Sequence, residues 1–293
     1  MIKEMPIESI ALKIRQEILK MAMGAGGGHI APSYSMTDIV TELYFDNILK
    51  YDAANPEWDG RDYFILSKGH GVLALYVALS MAGFFPKEQL YSFGKIGSDL
   101  GSLAKAHSVP GIEASTGSLG HGLSYACGIA LALKKDNLTN KVYVLLGDGE
   151  CEEGSIWESV MFAAHNKLNN ITVIVDYNKL QAMDSIKNIM SIENFSDRFR
   201  SFGFDTVDID GHDYAEIRSA LIGDAFEASE PIDKPKAIIA HTVKGKGISF
   251  MENVPIWHYR IPNDDELKIA LQELQMTKED LGDYERLSYR NVI

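Results

Sequence analysis

Short apolar runs rich in β-branched residues alternate along this chain with segments whose apolar positions recur every three or four residues. Ile10, Ile14, Ile18 and Met21 mark the first such segment, an amphipathic helix over 8–22. The same periodicity predicts helices over 36–49, 72–81, 123–134, 192–202 and 214–226, with two polar helices at 264–275 and 277–281. Between them, 61–66, 142–146, 171–175, 205–209 and 236–240 read as strands. Residues 87–106 are less patterned and read as a surface helix plus loop. Strands that alternate with helices in this way predict an α/β fold, a doubly wound and mostly parallel sheet with helices on both faces. At 293 residues the chain is expected to form a single domain over 1–293, with 264–293 a helical rim.

Composition narrows the class. A hydrophobic content of 46% with 24% charged residues is ordinary for a globular protein. The formal net charge of −13 argues against a nucleic-acid partner. No apolar run reaches the roughly 18 residues a membrane span needs, and MIKEMPIESI lacks the apolar core of a signal peptide. The two cysteines, Cys127 and Cys151, have no metal-like spacing, so a reduced, cytoplasmic protein is expected.

Candidate chemistry concentrates in 141–180, where strand, turn, helix and strand follow one another as one βαβ unit. The first strand breaks at Gly147-Asp148-Gly149 and the second ends in Asp176-Tyr177-Asn178. If these strands are neighbours, Asp148 and Asn178 emerge side by side at the carboxyl edge, where open parallel sheets bind ligands. A carboxylate and an amide oxygen are hard ligands that suit Mg²⁺ or Ca²⁺. Mg²⁺ usually completes its shell with phosphate oxygens, so a diphosphate held through a divalent cation is the physical reading. The bland alternative is an ordinary βα turn carrying a surface Asp. The run Gly24-Ala-Gly-Gly-Gly28-His29 is not a dinucleotide fingerprint, because a helix rather than a strand precedes it. It reads as a loop presenting His29, or as a helix terminator beside which His29 is incidental. His70 follows a strand in SKGHG and sits at a strand-to-helix turn, as Asp148 does. His212, in DGHD at a helix start, reads as structural beside good N-cap chemistry. KGKG at 244–247 is not a P-loop. Glu150 and Glu152 read as a solvated acidic turn.

The GDG segment followed by Asn178 resembles the metal-diphosphate motif of thiamine diphosphate enzymes, and GDGECEEGSIWE with DYNKLQAMD resembles transketolases in particular. GGGHIAPSYSMTDI, SKGHGVLALY, VPGIEASTGSLGHG and the segment leading to PIWHYR carry the same resemblance, over roughly residues 8–265. It implies a catalytic set of His29, His70, His107, His258 and Glu153. It implies cofactor contacts from Gly117, Ser118, Leu119, Gly147, Asp148, Gly149, Glu158 and Asn178 as well as His70 and His258. Asp148, Asn178 and the Leu180 carbonyl are the implied metal ligands. Glu153 and Glu158 would lie at a subunit interface, relaying charge toward the neighbouring cofactor. The loop before Pro110 departs from the family, which has Gly-His-Pro further upstream; here Ala106-His107-Ser108 stands close to Pro110. His121 is either a site neighbour or a helix-start polar group, and His258 either a site residue or half of a packed Trp-His pair.

Only the diphosphate-binding half of a transketolase is matched. The resemblance therefore implies the N-terminal subunit of a split enzyme, active with a C-terminal, pyrimidine-binding partner in an α2β2 heterotetramer. The implied cofactors are thiamine diphosphate and Mg²⁺ or Ca²⁺. The implied reaction is transfer of a two-carbon ketol unit between sugars or sugar phosphates. Two alternatives stay open: another thiamine diphosphate enzyme half, of the deoxyxylulose-phosphate synthase or 2-oxoacid dehydrogenase α type, and a non-catalytic binding paralogue.

Overall fold

In the computed structural model, which describes residues 4–226 and 233–282, the apolar runs pair as a parallel five-stranded sheet. Its strands are β1 (Tyr63–Leu66), β2 (Val142–Gly147), β3 (Ile171–Tyr177), β4 (Asp205–Asp210) and β5 (Lys236–His241), in the order β1-β2-β3-β5-β4. The helices are α1 (Ile7–Ala25), α2 (Ile30–Ser35), α3 (Thr37–Phe45), α4 (Val72–Ala82), α5 (Gly122–Lys135), α6 (Gly154–His165), α7 (Ile186–Ile189), α8 (Phe195–Ser201), α9 (Tyr214–Ile222) and α10 (Asp264–Glu273).

Side-chain alternation along the strands builds two cores. Phe64, Leu66, Tyr143, Leu145 and Ile174 face the layer of α1, α3, α4, α9 and α10. Their neighbours Ile65, Val144, Leu146, Val173 and Val175 face the layer of α5, α6 and α8. Because both faces are covered, β1, β2, β3 and the middle of β5 read as continuous apolar runs, whereas the edge strand β4 (DTVDID) alternates. α4 is apolar nearly all round and is buried from Val72 to Leu79, as a helix enclosed on every side must be.

Parallel pairing puts every strand's carboxyl end on one edge. The register aligns Leu66 with Leu145, Gly147 with Asp176, and Tyr177 with His241. The residues that follow each strand therefore meet above that edge.

Some boundaries move. The expected helix over 36–49 is α3, shortened to Thr37–Phe45, and α2 forms ahead of it, directly after the loop expected to present His29. Pro32 in the first turn of α2 removes an N–H that a helix start leaves unpaired anyway. All of Ile30–Ser35 is buried, so packing rather than propensity supports this short helix. The helix expected over 192–202 begins only at Phe195, capped by Asn194, whose side chain accepts from the Ser196 N–H. Of the expected 264–293 rim, α10 and a 3-10 turn over Glu279–Leu281 are seen, and 283–293 lie outside the described residues.

Beneath the carboxyl edge lies a buried ion pair. Lys68, after β1, bonds Asp176 of β3, and both side chains are almost wholly buried. Asp176 also accepts from Ser35 Oγ (2.6 Å) in α2 and from Thr242 Oγ1 after β5. Lys68 Nζ donates further to the Pro32 carbonyl at 3.0 Å. Burial alone raises the Asp176 pKa, but the Lys68 ammonium outweighs it and holds the carboxylate below its usual range. Removing one partner strands the other charge in the core. Lys68→Ala is expected to cost about 3–5 kcal/mol of stability. Urea unfolding checks this, and Lys68→Ala/Asp176→Ala is expected to lose less than the two single variants summed.

Candidate functional site

Above the ion pair, the strand-end loops enclose a cavity of ≈ 330 Å³. β1 contributes Lys68 and His70, β2 contributes Gly147, Asp148, Gly149 and Glu150, β3 leads to Asn178, Leu180 and Gln181, and β5 leads to Lys244. The α1–α2 loop adds His29, the loop before α5 adds Gly117 and Leu119, and a 3-10 turn over Pro255–Tyr259 adds His258. Close approach of two loops requires glycine at position 69: a Cβ there would lie 2.6–2.7 Å from the backbone of Thr116 and Gly117.

Asp148 and Asn178 do emerge from adjacent strands. Asp148 is buried and accepts from the N–H groups of Gly149 (2.8 Å) and Lys179 (2.5 Å). Burial and the nearby Asp176 charge nevertheless push its carboxyl up to about 7. Asn178 Oδ1 accepts from the Leu180 N–H at 3.1 Å. Lys244, buried to 1% exposure, donates to the carbonyls of Leu180 (3.1 Å) and Gln181 (2.9 Å) and lies 3.0 Å from His258 Nδ1. Burial, then the Lys68 charge, lowers its ammonium to about 8.

Three imidazoles converge on the same space. Ring centroids of His29, His70 and His258 are 5.5, 5.2 and 5.3 Å apart pairwise. Burial followed by the Lys244 charge lowers His29 to about 4 and His258 to about 3. Burial and then Lys68 push His70 well below its usual value. All three are neutral at pH 7, each with one ring nitrogen to donate and one to accept.

Other expected residues fall elsewhere. His107 is exposed and outside the cavity, because it occupies a left-handed turn (φ 57°) whose N–H bonds the Ile112 carbonyl at 3.1 Å. Leu103 of the same loop faces the cavity instead. Glu153 precedes α6 and Glu158 lies on its outer side, both exposed and away from the cavity. Ser118 and His121 are exposed as well. The expected solvated turn is corrected at Glu150: it is 1% exposed and accepts from Ser67 Oγ and the N–H groups of Gly120 (2.9 Å) and Gly147 (3.0 Å). It thereby ties the loop before α5 to the β2 turn. The roles of Lys68, Lys244, Asp176 and Glu150 escaped sequence reasoning. Lysines and acids at strand ends look like solvated surface until the fold buries them. The only available signal was that Lys68 sits between a strand and the Gly-His pair.

The residues fit a cation and a diphosphate. A buried carboxyl held near 7 by a second carboxylate is a place where a cation lowers the energy. Among the described residues no three His, Cys, Asp or Glu side chains converge as a metal cluster. Asp148, Asn178 and the Leu180 carbonyl thus supply hard oxygens and leave positions for phosphate oxygens and water. The N–H groups of Gly117, Ser118 and Leu119 have no partner among the described residues and precede the N-terminus of α5, an arrangement suited to phosphate.

Residues 8–281 match the transketolase family's thiamine diphosphate binding domain. The chain is 41% identical over 272 residues to one of the subunits of apulose-4-phosphate transketolase from Actinobacillus succinogenes, covering 92% of this chain and 96% of that protein. It is 38% identical over 273 residues to the 6-deoxy-6-sulfo-D-fructose transketolase subunit SqwG of Clostridium sp. (strain MSTE9), covering 93% and 98%. Transketolase from Campylobacter jejuni superposes with a TM-score of 0.85 at 29% identity, covering 95% of this chain and 45% of that one. The chain thus spans less than half the length of that solved enzyme.

The imidazole environment is directly measurable. An NMR titration is expected to show His29 neutral down to about pH 4. Unfolded histidine binds its proton near 6.5, so between about 6.5 and 4 the unfolded state holds more protons than the folded one. His29 therefore destabilises the fold increasingly as pH falls through that window. His29→Asn is expected to flatten the corresponding slope of unfolding free energy against pH.

Proposed function

The chain belongs to the transketolase family, whose members are transferases, and on that premise we propose that it is the diphosphate-binding subunit of a split, thiamine diphosphate-dependent transketolase. The observation that carries this reading is one cavity uniting Asp148, Asn178, Gly117 and Leu119 with their unpartnered amides, and three neutral imidazoles. The relatives from Actinobacillus succinogenes and Clostridium, which this chain matches almost end to end, are each named as one subunit of their transketolase. That supports a separate partner chain.

Asp148, Asn178 and the Leu180 carbonyl hold Mg²⁺ or Ca²⁺. Lys244 Nζ, now bonded to that carbonyl, would supply a positive charge beside a bound diphosphate. The 117–119 amides take diphosphate oxygens, and Leu119 packs beside the cofactor ring. When bound, thiamine diphosphate supplies the electron sink for breaking and making the carbon–carbon bond. His29, His70 and His258 orient substrate hydroxyls and move protons at them. Their neutrality lets one ring nitrogen accept while the other donates. Glu150 keeps the diphosphate loop against the β2 turn. The substrates are a ketose or ketose phosphate donor and an aldose acceptor.

The rest of the site comes from the partner. α5 and α6 pack together, with Tyr125 (54%) exposed on α5 and Met161 (50%) and Phe162 (42%) exposed on α6 within about a turn of Glu158. An apolar patch of this kind suits a permanent interface, and the C-terminal subunit covers it in an α2β2 assembly that brings Glu153 and Glu158 toward the neighbouring site. The free, buried thiols of Cys127 and Cys151 fit the reducing cytoplasm.

On its own the chain is expected to be inactive, and the complex with its partner active only with thiamine diphosphate and a divalent cation. Calorimetric titration of cofactor and Mg²⁺ into the complex, with a coupled ketol-transfer assay, checks both points. Absence of binding, or binding without transfer to any aldose, overturns the reading. Asp148→Ala and Asn178→Ala are each expected to weaken metal-dependent cofactor binding by about 100-fold or more. His258→Ala is expected to lower kcat by roughly 10²–10⁴.

A further inference from the structure

The loop that leads into the diphosphate amides brings a hydrocarbon into the cavity. Its two arms are zipped together: the Thr116 N–H donates to the Ala104 carbonyl (2.9 Å), Ser115 Oγ accepts from the Ala106 N–H (2.9 Å), and the His107 N–H donates to Ile112 (3.1 Å). Thr116 Oγ1 in turn anchors the loop to the Leu66 carbonyl at the end of β1 (2.6 Å). Leu103 is the first residue beyond the zipper, next to the buried Ala104, and is held over Gly117. Its Cδ atoms lie 2.7 and 3.0 Å from the point where a Cβ on Gly117 would stand, at a φ of +127° that favours glycine. Glycine at position 117 therefore makes the slot that Leu103 fills, and the leucine remains 42% exposed with its open side on the cavity.

Leu103, Gly117 and Leu119, which line the cavity on this side, carry no side-chain hydrogen-bonding group. Leu103 and Leu119 flank Gly117, and the 117–119 amides are taken up by diphosphate on the reading above. The loop's histidine, His107, is turned outward. The cavity's imidazoles at 29, 70 and 258 serve only the part of a substrate that reaches them. An ordinary sugar carries a hydroxyl on every carbon except its carbonyl, so a hydroxyl that meets Leu103 gives up its water without a partner. We propose that Leu103 is a specificity-determining residue that selects a deoxy substrate, a ketose or aldehyde with a methyl or methylene where an ordinary sugar is hydroxylated. The proposal rests on the ketol-transfer reading and narrows its substrate class.

The test uses the complex of this chain with its C-terminal partner, loaded with thiamine diphosphate and Mg²⁺. Donors are compared as D-xylulose against 1-deoxy-D-xylulose. Acceptors are compared as glycolaldehyde against acetaldehyde, with D-xylulose as the common donor. In each reaction the donor's bond between carbons 2 and 3 breaks and glyceraldehyde leaves. Its two-carbon unit then bonds to the acceptor's aldehyde carbon, whose oxygen takes up the proton released from the donor's C3 hydroxyl. In at least one pair the deoxy member is expected to lead by about 10- to 100-fold in kcat/KM, the range over which an apolar pocket discriminates a single small group. The pair in which this occurs identifies donor or acceptor as the deoxy partner. Leu103→Asn is expected to erase or invert the ratio by raising kcat/KM for the hydroxylated member, while Leu103→Ile keeps it. Independently of turnover, the ¹³C-methyl resonances of Leu103 are expected to shift on adding the preferred deoxy compound and not its hydroxylated counterpart. A wild-type complex that favours the hydroxylated member of both pairs, or ratios that Leu103→Asn leaves unchanged, overturns this inference alone. A complex that transfers no two-carbon unit from any donor overturns the ketol-transfer reading and this inference with it.

Discussion

One buried carboxylate organises the carboxyl edge of this sheet. Asp176 takes hydrogen bonds from Lys68 after β1, Ser35 in α2 and Thr242 after β5, and all four side chains are buried. An isolated charge at that depth is prohibitively costly, so the ammonium of Lys68 must stay with it. That requirement fixes where the β1 turn, the α2 helix and the β5 turn can sit. The cavity above is shaped by this constraint, because His70 follows Lys68 by two residues and Lys244 follows Thr242 by two.

The same burial sets the electrostatics of the site. Asp176 has its cation and is held ionised, whereas Asp148 bonds only amide donors, faces a second carboxylate and is pushed up to about 7. Burial, reinforced by the nearby charges of Lys68 and Lys244, keeps the imidazoles unprotonated. The result is a floor that attracts a cation and an anion together, beneath a wall of neutral acid–base groups. On the proposed reading, this chain carries the groups that hold the diphosphate tail. On α5 and α6, Tyr125, Met161 and Phe162 are left exposed.

Legibility in the sequence followed locality. Gly147-Asp148-Gly149 and Asn178 were readable because strand ends in a parallel sheet share an edge whatever else the fold does. His70 was readable for the same reason. The loop over 93–121 was not: its backbone pairs across 104–116, and that pairing decides that Leu103 faces inward while His107 faces out. A histidine beside a Pro-Gly turn gave no indication of this, since the turn's left-handed residue is set by the long-range zipper. Glu150 was misread as solvated because an acid in an acidic turn normally is; here Ser67 and Gly120 from other segments, with Gly147 of its own turn, satisfy it in the interior.

Periodicity, strand-end motifs and composition were enough to establish a parallel α/β fold, the Asp148–Asn178 pair and the family resemblance, because each depends on residues close in sequence or on the geometry common to all such sheets. Tertiary structure alone decided which charges are buried and paired, which imidazoles are neutral, and which side chain of the diphosphate loop lines the cavity. Those outcomes depend on desolvation and on contacts between segments far apart in the chain, such as Lys68 with Asp176, and no local pattern encodes them.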